Sequence, residues 1–183
     1  PSSYGKRAVR SDGGRTGRPR KEVIAPRAFG FRVDDPKEDI HLLVGHSYDR
    51  PLASRGAGTL ELTDGDDALT FTATISEDMQ RVSYVQDALT AMAAGLIVGI
   101  SPGFRLPPKR AVAQPEKVED EGFDPENGAH NAIIRTVMQA LLYELSIVTR
   151  PAYPEAQVEA RSWDVPDRSD TLIKPSHRNR WRL

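Results

Sequence analysis

Three side chains in this sequence have the types that acyl transfer needs: His46, Ser101 and Glu144. A serine hydroxyl is a weak nucleophile at its free pKa, so it requires a base within hydrogen-bond reach. It also requires backbone N–H groups aimed at the developing oxyanion. A carboxylate on the far side of the imidazole would hold the base in the useful tautomer. Each residue also has an ordinary reading. His46 fits a plain loop histidine, Ser101 a turn serine, and Glu144 a carboxylate on the wet face of a strand.

The surrounding elements make the chemical reading concrete. Asp39–Val44 is a short apolar run that predicts a buried strand. It ends at Gly45-His46-Ser47, so His46 is held on one side and open on the other, which suits a general base. Tyr48-Asp49-Arg50-Pro51 reads as loop. Leu96–Ile100 predicts a second buried strand, which delivers Ser101 to a Pro102-Gly103 turn where glycine would admit a substrate backbone. Glu144 lies in the apolar segment Ala132–Thr149, whose start is ambiguous between helix and strand. Leu145, Ile147 and Thr149 alternate with Glu144, Ser146 and Val148, which favours a strand at its end. The other histidines compete less well. His41 is inside a strand, and His130 and His177 fall in segments expected to be mobile.

Between these segments the pattern is mostly strand. Thr59–Thr63 and Leu69–Ile75 alternate around Asp64-Gly65-Asp66-Asp67, a hairpin with one buried face. Ser76 caps a predicted helix over Glu77–Ala94, with Gly95 as its stop. Strand and helix do not alternate in the βα manner, so the expectation is an α+β, mainly β chain: an antiparallel β-barrel with peripheral helices. Residues 1–21 read as a mobile basic segment and 22–161 as the folded domain, with an acidic mobile insertion at 110–131. A short helix is expected over Glu155–Arg161, and 162–183 reads as a polar, basic tail.

Composition narrows the function classes. The 183 residues carry a formal net charge of −1, which gives no reason to expect nucleic acid as the main partner. With no cysteine, disulfides and thiolate chemistry are excluded. Asp64–Asp67 lacks the length and terminal glutamate of a calcium loop, and no phosphate loop, dinucleotide fingerprint or metal cluster is present, so no cofactor and no metal are expected. No apolar run approaches the ~20 residues of a membrane span. No apolar leader is visible in Pro1–Lys21, so the expectation is a soluble, intracellular chain without a membrane partner.

Taken in order, five blocks resemble the prohead proteases of tailed bacteriophages, capsid-maturation serine proteases related in fold to the herpesvirus assemblins. The blocks are Glu22–Phe29, Leu42–Ser47, Gly58–Leu62, Gly99–Phe104 and Tyr143–Pro154. The second resembles the block with the catalytic histidine, the fourth the nucleophile block, and the last is the most specific. The resemblance implies His46 as general base and Ser101 as nucleophile. Glu144 matches an acidic position in the closing block and is the expected third, orienting member. Assemblins use a second histidine there, so a dyad assisted by backbone or water stays open. Gly45, Ser47 and Pro102 depart from the usual Asn, Asp and Phe, and Pro102 has no N–H to give an oxyanion.

The same resemblance implies an assemblin-like barrel and an endopeptidase acting inside the assembling prohead in the host cell. Its substrates would be the scaffold, or the N-terminal scaffolding segment of the major capsid protein, and the protease itself. Self-association follows from the assemblins, which dimerise to become active. Two other readings stand beside it: an inactive scaffold or assembly chaperone of the same fold, and an unrelated barrel in which His46 and Ser101 never meet.

Overall fold

The structure is a computed structural model and describes residues 2–12, 17–151 and 153. The first half of the chain gives β1 (Ser2–Ser3), β2 (Ala8–Ser11), β3 (Arg20–Ile24), the one-turn helix α1 (Gly30–Val33), β4 (His41–Val44), β5 (Ser47–Ser54), β6 (Leu60–Asp64) and β7 (Ala68–Ala73). After them come helices α2 (Glu77–Gln80) and α3 (Ser83–Ala93). The remaining strands are β8 (Gly99–Arg105), β9 (Glu116–Asp120), β10 (Phe123–Asp124), β11 (Ala129–His130), β12 (Ile133–Val137) and β13 (Leu141–Val148). A turn of 3-10 helix, Pro125–Asn127, separates β10 from β11. The chain is mainly β with few helices, as expected.

Sheet order places β13 inside a four-stranded sheet, β5-β4-β13-β8. It runs parallel to β4 and antiparallel to β8. A strand with neighbours on both sides and a core beneath it tolerates a nearly continuous apolar run, which is why its period was hard to read. Leu142, Leu145 and Ile147 are buried there, each contributing about 1.5–3 kcal/mol by leaving water. A second sheet has the order β2-β3-β12-β9, and a third β1-β7-β6. None of the sheets closes on itself among the described residues. Backbone bonds nevertheless run between them. Thr59 N–H to Ser54 O (3.0 Å) joins β5 to the start of β6, and Gly5 N–H to Ile24 O (3.0 Å) joins β1 to β3. Ile24, Phe29, Leu60, Leu69, Val85, Val137 and Leu142 share one core.

The hairpin β6–β7 forms as its alternation predicts, with Leu62 opposite Phe71. Asp64 is strand rather than turn. Its carboxylate is buried, accepts from Phe29 N–H (3.0 Å) and is bonded by the Tyr4 hydroxyl. Burial pushes the titration of both groups up, and for Asp64 it outweighs the hydrogen bonds that favour the anion. Ser76 caps α2 as expected, its Oγ accepting from Met79 N–H at 3.4 Å.

Other expectations need correction. The helix over Glu77–Ala94 is broken at Val82, whose extended backbone (φ −74°, ψ 134°) turns Val82 and Met79 onto the core and restarts the helix with Val85 and Ala88 buried. The new helix stops where Gly95 was expected to stop it. Leu96 N–H bonds Ala91 O and Gly95 N–H bonds Met92 O, with Gly95 at φ 71°. Tyr48–Pro51 is not a loop but part of β5, an edge strand that bulges against β4 and so accommodates Pro51.

The acidic stretch 110–131 is not a mobile excursion. It contains β9 against β12 and the small hairpin β10–β11. Composition misled because the acids have fixed partners: Glu116 pairs with Arg135, Asp120 with Arg18, and Glu121 with Lys21 and Arg7. The basic N-terminal segment supplies Arg7, Arg18 and Lys21 while β2 pairs with β3, so it too is ordered over the described residues. The Glu155–Arg161 helix and the 162–183 tail lie outside them.

Candidate active site

His46 is the second residue of a two-residue turn between β4 and β5, with Val44 opposite Ser47. Gly45 (φ 61°) and His46 (φ 62°) are both left-handed, as the tight turns that match strand twist require. Histidine tolerates this backbone better than most residues, yet strain of this kind persists only where surrounding structure holds it. Here the holder is Ser146. Its Oγ accepts the His46 N–H at 2.9 Å.

Glu144 and Ser146 are two apart on β13 and so project from one face. The register break at Tyr143, between Leu142 and Glu144, sets which face that is. Glu144 Oε1 lies 2.7 Å from His46 Nδ1, and Ser146 Oγ donates to Glu144 Oε2 at 2.6 Å. Three bonds therefore close a ring through His46 N–H, Ser146, Glu144 and the imidazole. Glu144 is 5% exposed and Ser146 0%, whereas the His46 side chain is 47% exposed. A buried carboxylate on Nδ1 fixes the proton there and leaves Nε2 as the basic nitrogen toward solvent. The negative charge is felt nearby. The Tyr48 hydroxyl titrates above its usual range, first through desolvation and then through Glu144.

Ser101 reaches the same face from the other side. On β8 it stands opposite Ser146, and Gly103 stands opposite Glu144. Directly opposed residues share a face, so Ser101 points to the side that carries the carboxylate and the histidine. β4 and β8 flank β13, which separates them by about 10 Å, twice the usual strand spacing. Ser146, a small residue, lies between them on that face. Ser101 is 7% exposed and makes no side-chain hydrogen bond among the described residues, so the structure joins His46 to Glu144 but does not bond Ser101 to His46.

Two details of the expected site change. Pro102-Gly103 is no turn. β8 continues through both to Arg105, and Pro102 is tolerated because β8 is an edge strand. Gly103 does not open a space for substrate, since the Glu144 side chain fills it. Among the other histidines, His41 pairs with Asp39 (3.5 Å) and packs edge-on against Tyr48, and His130 lies on β11. His177 is outside the described residues. No group of three or more metal-ligating side chains occurs among the described residues. No helix among them is long and apolar enough to cross a membrane.

Comparison with known protein families aligns residues 11–168 with the Caudovirus prohead serine protease family. The chain belongs to this family. Membership carries the coarse role, that of a serine protease of phage capsid maturation, acting on capsid protein within the assembling prohead. No curated protein and no solved structure matches the chain. Within this prohead protease, sequence reasoning missed Ser146 as a structural partner of the histidine. The signal was present: Glu-x-Ser on a strand puts two polar groups on one face, and an apolar strand does not bury two polar groups unpaired.

Proposed function

We propose that this chain is the maturation endopeptidase of its prohead, with Ser101 as nucleophile, His46 as general base and Glu144 as the orienting carboxylate. His46 Nε2 takes the proton of Ser101 Oγ as the oxygen attacks the scissile carbonyl. The same proton passes to the departing amine, and water then releases the acyl group by the reverse transfer. Glu144 keeps the proton on Nδ1 and stabilises the imidazolium that forms. Pro102 has no N–H, so the oxyanion donor is another group.

The observation that carries this reading is the bonded ring of His46, Glu144 and Ser146 on the sheet face that Ser101 shares. The substrates are the scaffold, or the scaffolding segment of the major capsid protein, and the protease itself, and copies of the chain associate. The backbone bonds between sheets support an assemblin-like barrel wrapped around the common core. Co-expression with the natural major capsid protein tests the activity. A shortened capsid band is expected, absent in both Ser101→Ala and His46→Ala. A band that persists in either variant rejects the assignment.

Pro102 favours a second reading, in which the chain is an inactive assembly chaperone of the same fold. That reading expects no shortened band from the parent chain, with capsid assembly still dependent on it.

A further inference from the structure

The Glu144 carboxylate lies over the Cα of Gly103, its partner across β13 and β8. A Cβ built on Gly103 would overlap Glu144 Oε1, and would come within 2.6 Å of its Cδ and 2.9 Å of its Cγ. Real Cβ atoms do not approach this closely. The oxygen that would be struck first is the one bonded to His46 Nδ1.

Backbone conformation does not explain the glycine. Gly103 is absent from the glycines with positive φ, and it sits in the middle of a strand, where glycine costs stability. What requires it is close approach. The carboxylate has no easy retreat either, because Ser146 holds Oε2 and Glu144 is buried on a strand fixed from both sides. A side chain at 103 would leave two ways out. Either the carboxylate leaves His46, or β8 shifts and takes Ser101, two residues away on the same face, with it.

We propose that Gly103 is a positioning residue of the protease, whose missing Cβ admits the Glu144 carboxylate to His46. The inference rests on Glu144 as the orienting member. Gly103 acts through Glu144, so its replacement should cost nothing once Glu144 has been cut back.

The test is a four-member set of the full chain: parent, Gly103→Ala, Glu144→Ala and the double variant. Each is assayed for kcat and KM on the natural major capsid protein and for its melting temperature. Gly103→Ala should lower kcat about a hundredfold or more with KM little changed. The double variant should be no slower than Glu144→Ala alone. Gly103→Ala should also lower the melting temperature, and that drop should vanish in the Glu144→Ala background. If Gly103→Ala fails to fold, the double variant must fold, because its short side chains no longer overlap. A Gly103→Ala penalty of undiminished size in the Glu144→Ala background overturns the inference, as does parental kcat in Gly103→Ala. Parental kcat in Glu144→Ala overturns the role of Glu144 itself and the inference with it, a result separable from loss of the coupling.

Discussion

Glu144 Oε1 and His46 Nδ1 are 2.7 Å apart, and the carboxylate that makes this contact is buried while the imidazole is half exposed. That asymmetry matters. The buried partner is fixed, and the exposed partner keeps one edge free for proton transfer. Replacing Glu144 by Gln keeps size but removes the charge that stabilises an imidazolium. The amide also has only one acceptor oxygen to divide between the Nδ1 proton and the Ser146 hydroxyl. We expect kcat on the capsid protein to fall by roughly 10²–10⁴ with folding retained, by comparison with the loss when an orienting carboxylate becomes an amide. Unchanged kcat would show that a dyad suffices.

Ser146 holds both members of that pair. In Ser146→Ala the His46 N–H and one Glu144 oxygen lose their partner inside the protein. The Glu144 oxygen is buried, and leaving it unpaired costs about 1–3 kcal/mol, whereas His46 is exposed and water can reach it. Denaturant melts should show a loss of that order, and kcat should fall because the strained His46 turn has lost its anchor. A variant with parental stability would mean that water enters and replaces the hydroxyl.

The sequence disclosed this site unevenly, for physical reasons. His46 and Ser101 stood out through the order of the sequence blocks around them, since the end of an apolar strand alone fits a plain loop histidine and a turn serine equally well. The hairpin β6–β7 was legible because one buried face enforces period two. The segment 110–131 was not, since its charges looked solvated until Lys21, Arg18 and Arg135 were brought to them from distant positions. Gly103 was misread because Pro-Gly is a turn signal in isolation, while its real constraint lies across the sheet in Glu144. Pairings between strands far apart in sequence leave no local pattern.

The Gly45–His46 turn is a further point of sensitivity. Gly45 has no atom within 4 Å of where its Cβ would be, so Gly45→Ala meets no obstruction. The only cost is its positive φ of 61°, about 1–2 kcal/mol for a residue with a Cβ. The melt should show this loss. The turn should relax and carry His46 from Glu144, so kcat should fall at least tenfold with little change in KM. Parental values of both would show that the turn tolerates a Cβ without moving the imidazole.

Glu121 ties the N-terminal strands to the insertion. It takes bonds from Lys21, Arg7, and the N–H groups of His130 and Ala132. Its titration is lowered from the ordinary 4.5 to about 2, chiefly by the hydrogen bond from Lys21. A folded-state value below the unfolded one means that the unfolded chain binds the proton first as pH falls. The stability from this carboxylate is therefore full above about pH 4.5 and drains away as pH drops toward 2. Denaturant melts of the parent chain and Glu121→Gln, compared across that window, should differ most at the upper end and converge at the lower. A constant difference at every pH would show that Glu121 contributes through packing alone.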